Sequence, residues 1–104
     1  MSQKETVMNI VYESVDEVNE NRPDKPAIIK SPATILFGKK STLDSLGLVS
    51  LIVTIEQKIE EQLGATITIA DERAMSQASS PFKTIDSLMN YVAMLLDEIN
   101  SQSN

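Results

Sequence analysis

Between residues 4 and 19, Val7, Ile10, Val11, Val15 and Val18 recur at spacings of three and four, while Glu13, Asp16, Glu17 and Glu20 fall largely between them. At ~100° per residue the apolar positions share one face, which predicts an amphipathic helix. The pattern stops at NENRPDKP, where two prolines and several turn formers oppose further helix. A long connection follows through AIIKSPATILFGKKST, carrying Ile28, Ile29, Ile35, Leu36 and Phe37 among breakers. Loops beyond ~12 to 15 residues are uncommon unless functional or pinned. This one is expected to be pinned, with Ile35 to Phe37 entering the core.

From about Ser45 to Leu63 the period is helical again, and Gly64 follows as a residue suited to a left-handed cap. ATITIADERAM offers a brief alternation at Ile67 and Ile69, too short and partnerless for a sheet, so an extended connector leading to a helical turn near 71 to 77 is expected. After SSPF, the positions Ile85, Leu88, Met89, Val92, Leu95, Leu96 and Ile99 mark a last helix, and the polar tail SQSN is expected to fray. The fold class is therefore all-α: a four-helix bundle of three longer helices and one short one, with a long loop between the first two. Residues 1–104 make a single domain with a core over about 4–99.

The triplet DSL opens two of these helices, at 44–46 and 86–88. In the second copy Thr84 is suited to the N-cap, Asp86 complements the helix dipole, and Ser87 falls off the apolar stripe as a polar first-turn residue. The first copy leads into a more apolar helix. Leu48, Leu51, Ile52, Ile55, Ile59 and Leu63 form a core-facing stripe, and Leu46, Val49 and Val53 form a second one displaced from it. Two arrangements fit: either the second stripe is partly exposed as a docking surface, or this helix is central and buried on most sides. Ser45 sits where the loop meets this helix, with Asp44 beside it. A helix N-terminus suits a phosphate, so a hydroxyl there could carry a phosphodiester; an ordinary capping Ser or Asp is the alternative.

Composition narrows the chemistry. The chain has no histidine and no cysteine, which excludes Ser/His and Cys/His nucleophilic sites, zinc-type sites and disulfides. Nothing has the spacing of a lysine- or carboxylate-based site either, so a non-catalytic role is expected. Nine basic against fifteen acidic residues give a net charge of -6, which opposes nucleic-acid binding and favours basic partners. Residues 1 to 52 contribute -1 of this and residues 53 to 104 contribute -5. No apolar run approaches the ~20 residues that span a bilayer, and the N-terminus lacks the order of a secretory signal, so a cytoplasmic monomer without membrane insertion is expected.

The segment LDSLGLVSLIVTIEQKI resembles the prosthetic-group region of acyl carrier proteins, in which Asp-Ser-Leu precedes a helix reading roughly x-x-V-x-L-V/I-x-x-L/I-E. The matching positions are Asp44, Ser45, Leu46, Val49, Leu51, Ile52, Ile55 and Glu56, and the order of elements over about 4–99 is also similar. The resemblance implies an acyl-carrier-protein-like bundle in which a phosphopantetheinyl transferase esterifies Ser45 with 4'-phosphopantetheine. The arm's thiol would carry acyl groups between acyl-loading, synthase or acyltransferase enzymes of a fatty-acid, lipid or specialised pathway. Asp44, Leu46, Val49, Ser50, Val53 and Glu56 would form the partner-docking face. An aminoacyl or peptidyl carrier, or a helical interaction module without prosthetic group, are the alternatives. The chain departs from the family in having Gly47 and Ser50 where acidic residues are frequent, which implies partners less dependent on charge near the serine and a specialised stand-alone member.

Overall fold

The computed structural model describes residues 3–36, 43–69 and 82–102, with Ser45 and residues 100–102 described by their backbone alone. Three helices form: α1 (Gln3–Glu20), α2 (Ser45–Leu63) and α3 (Ile85–Gln102). Among the described residues there is no strand, only an isolated antiparallel bridge between Ile35 and Thr84. The helical turn expected near 71 to 77 and the core role of Phe37 lie outside the described residues.

α1 packs against both α2 and α3 and is the middle element of the three. Its sequence explains why it tolerates two neighbours. Val7, Ile10, Val11, Val15 and Val18 are all buried, and Ser14 between them is buried too, its Oγ donating to the Ile10 carbonyl at 2.8 Å. Short side chains and a hydroxyl satisfied within its own helix let other elements approach closely without leaving a polar atom unpaired. The alternative of a central α2 is thereby settled against.

α2 buries Leu51, Ile52, Ile55 and Ile59. Leu48 is only partly buried, and Leu63, expected in the same stripe, is 42% exposed. The reason is geometric: steps of four residues drift about 40° around a helix, so the series 51, 55, 59, 63 has rotated off the core face by its last member. The helix ends as expected, with Gly64 in the left-handed region at φ 68° and its N–H bonded to the Glu60 carbonyl. α1 and α2 run antiparallel, braced at their margins by Lys58–Glu17 (3.0 Å) and Gln62–Glu13 (3.0 Å). The Glu17 carboxylate, through its hydrogen bond, holds the Lys58 ammonium above its usual pKa.

The loop after α1 is pinned, by Leu36 from the expected segment and by Ile28, which was not expected to enter the core. Ile28 and Leu36 are buried, Ile35 is half-buried and Ile29 is exposed. The Asn19 side chain clasps the Ile28 backbone, donating to its carbonyl at 3.1 Å and accepting from its N–H at 2.8 Å. One amide thus satisfies both backbone polar groups of a residue whose side chain enters the core. Farther on, Ile67, Ile69 and Phe82 join the same buried cluster as the helices. α3 contributes Ile85, Leu88, Met89, Tyr91, Val92, Leu95 and Leu96, and it continues through Ser101 and Gln102; the rest of the tail expected to fray lies outside the described residues. No glycine or proline interrupts it there, and polar residues extend a helix already nucleated by a packed face.

Candidate functional site

The first turn of α2 is organised by Asp44. Its backbone is extended and its carboxylate accepts from the Gly47 N–H at 2.7 Å, which makes it the N-cap and Ser45 the first helical residue. That hydrogen bond, helped by the nearby Arg22 and Lys25 charges, holds the Asp44 carboxyl below the usual value of 3.8. The capping role weighed for Ser or Asp therefore belongs to Asp44. The Ser45 side chain lies outside the described part of the structure; its backbone opens the helix.

Arg22 approaches the same turn from the end of α1. Its Nη2 lies 3.9 Å from the Asp44 carboxylate, its side chain is only 14% exposed, and its Nη1 is buried with no hydrogen-bond partner among the described residues. A guanidinium in that place works against the positive end of the helix dipole, and Asp44 supplies the opposing charge. Gly47 makes the approach possible. A Cβ at that position would stand 2.7 Å from Leu43 Cδ2 and 3.2 Å from Arg22 Cζ, closer than either neighbour allows without moving. Glycine here is explained by close approach rather than by backbone conformation.

Beside this turn is a cavity of about 300 Å³ lined by Arg22, Lys25, Asp24, Asp44 and the helix residues Leu46, Ser50 and Thr54, among others. Along the adjoining face, Leu46, Val49 and Val53 are 75%, 55% and 42% exposed. The second stripe thus faces solvent, as the displaced periodicity suggested. Ser50 is exposed as well, and its carbonyl accepts from Thr54 Oγ1 at 2.7 Å. Glu56 is half-buried and its carboxylate accepts from the Ile69 N–H at 2.7 Å, tying the connector that follows α2 back onto the helix.

Of the residues singled out in the sequence, Asp44, Leu46, Val49, Ser50 and Val53 gather on or beside one exposed face, and Glu56 is engaged with the chain itself. Arg22 and Lys25 were not singled out. They sit in a breaker-rich turn with no periodicity, and only tertiary packing brings them to α2; the one hint in the sequence is the glycine at 47, which clears room beside the capping aspartate.

The other DSL is built differently. Thr84 and Ser87 cap each other: Ser87 N–H donates to Thr84 Oγ1 at 3.1 Å, and Thr84 N–H donates to Ser87 Oγ at 3.0 Å. The Ile85 and Asp86 N–H groups donate to the carbonyls of Thr34 and Pro32. Ser87 is accounted for as a cap residue. No helix among the described residues is long and apolar enough to cross a membrane. The chain matches no protein-family model, no curated protein and no solved structure.

Proposed function

We propose that this chain is an acyl carrier protein, a four-helix bundle of that family's type, modified at Ser45 by 4'-phosphopantetheine. The observation that carries the reading is the exposed stripe Leu46, Val49 and Val53, which begins immediately after the serine of LDSLGLVSL. Three exposed aliphatic residues grouped on one helix face, where the other exposed large apolar residues, Ile29, Leu63 and Met94, lie apart from one another in the sequence, favour a docking surface.

The residues around Ser45 fit a phosphodiester. Among the described residues no acceptor takes the Leu46 N–H, so the first turn of α2 keeps donor capacity, and Arg22 and Lys25 lie at the edge of the adjoining cavity. When attached, the arm supplies a thiol that holds acyl groups as thioesters, chemistry for which a chain without cysteine has no group of its own. Asp44 fixes the helix start that presents Ser45, while Leu46, Val49 and Val53 receive the enzymes that load and unload the carrier. The chain itself performs no chemistry in this role; it is the substrate of a phosphopantetheinyl transferase.

The test is intact-mass analysis after co-expression with such a transferase. The wild type and Ser87→Ala gain the mass of the arm, and Ser45→Ala does not. An unmodified wild type, under conditions that load a control carrier, sinks the proposal. The same exposed stripe favours one other reading, an interaction module without prosthetic group, which predicts partner binding that survives Ser45→Ala and is lost on Val49→Asp. An aminoacyl or peptidyl carrier shares the serine chemistry and is separated by the cargo found on protein from its native cell.

A further inference from the structure

Resting on the carrier reading, we infer that the partner surface which docks beside Ser45 is apolar and lacks an essential cluster of basic residues, because the chain itself has engaged the acidic groups that would attract one. From Ser45 to Gln57 the only charged residue is Glu56, whose carboxylate already accepts the Ile69 N–H. At the start of the helix the Asp44 carboxylate is held on one side by the Gly47 N–H and faced on the other by the Arg22 guanidinium. The cavity at that end is bordered by two cations, Arg22 and Lys25, and two anions, Asp24 and Asp44, so its formal charge cancels. What this face offers a partner is Leu46, Val49 and Val53, with the uncharged Ser50 and Thr54 alongside.

Charge complementarity sets the partner's chemistry. A basic patch placed against this face would meet a border whose two anions are already balanced by Arg22 and Lys25, so the desolvation of its own cations would gain no net opposing charge. An aliphatic or aromatic ridge loses nothing by the same contact and buries three exposed side chains. Gly47 makes room for this arrangement, since a Cβ there would press on Leu43 at 2.7 Å, on the Asp44 carboxylate at 3.0 Å and on the guanidinium at 3.2 Å. Along α2 itself, exposed acidic residues come only past this face, at Glu60 and Glu61.

The experiment follows arm transfer to the full-length apo chain from coenzyme A, catalysed by a phosphopantetheinyl transferase that also loads an acidic control carrier. The Ser45 hydroxyl displaces adenosine 3',5'-bisphosphate from the pyrophosphate of coenzyme A and its proton is released. The expected result is a KM for the chain that changes by less than about threefold between low and high salt, since screening has no essential ion pair to weaken. Val49→Asp raises that KM by about tenfold or more at either salt, through burial of an unpaired charge. Arg22→Gln, which frees Asp44, converts the reaction to a salt-dependent one; should that variant melt early, Lys25→Gln provides the same comparison at an exposed position. A wild-type KM that rises by more than about threefold with salt, or variants that leave the salt response unchanged, overturns the inference. A wild type that accepts no arm at any salt overturns instead the carrier reading on which it rests.

Discussion

The two DSL segments have the same three residues and opposite fates. At 86–88 the triplet lies inside a sealed turn, where loop carbonyls take the first two N–H groups and a Thr84–Ser87 pair takes the third. At 44–46 it begins two steps earlier relative to its helix, with the aspartate as cap and the serine as first helical residue, and among the described residues no loop carbonyl takes the Leu46 N–H beside the exposed apolar stripe. The difference teaches that a helix start is defined by what surrounds its donors. Position relative to the cap decides which side chain closes the turn: the Thr84–Ser87 pair at one copy, the aspartate at the other.

The largest effects test whether the helices behind the two triplets are anchored alike. Ile55→Ala in α2 and Leu88→Ala in α3 each remove a fully buried side chain, and each is expected to lower unfolding free energy by about 2–5 kcal/mol in urea titrations. A cost well under 1 kcal/mol at either site breaks the comparison, because that helix would not be held by its core face. Next comes Thr84→Ala, which removes the reciprocal cap of α3 and is expected to cost about 1–2 kcal/mol in the same titration. An unchanged transition midpoint would mean that the loop carbonyls seal the turn unaided.

A smaller effect separates the two caps by pH. Asp44 has a depressed carboxyl pKa in the folded chain, so its stabilisation is complete above the ordinary value of 3.8 and fades as pH falls through the lowered one. The Thr84–Ser87 cap is made of hydroxyls and has nothing to titrate. NMR should therefore show the Gly47 amide shifting with a midpoint below 3.8 while the Ser87 amide does not follow it; a Gly47 midpoint at or above 3.8 contradicts the cap described. Smallest of all is Val49→Asp, which touches an exposed position and is expected to change stability by no more than about 0.5 kcal/mol. A loss of several kcal/mol in thermal or urea unfolding would show that the stripe is part of the core.

Periodicity was sufficient for the three helices and for their principal buried faces, because each relies on local spacing that survives in any surroundings. Gly64 was legible as a terminator for the same reason: its left-handed backbone is a local requirement. Which helix occupies the middle was not legible, since α2 carries more apolar residues than α1, yet α1's short valines and self-satisfied Ser14 admit two neighbours. The clasp of Asn19 on Ile28 and the placement of Arg22 against Gly47 join residues distant in sequence through hydrogen bonds and shape, and no spacing rule encodes either. At the site, the exposed stripe was readable as a second helical face; the neutralisation of its acidic groups required knowing where the turn after α1 ends up.

The carbonyls of Pro32 and Thr34 that close the first turn of α3 also bear on how the chain folds. Most of a helix can form from contacts a few residues apart, but this turn is completed only by a segment from before α2, so its last hydrogen bonds carry the entropy of closing a long loop. The start of α3 is therefore expected to form late, and loosening of the loop at 32–36 is expected to open α3 from its N-terminal end first.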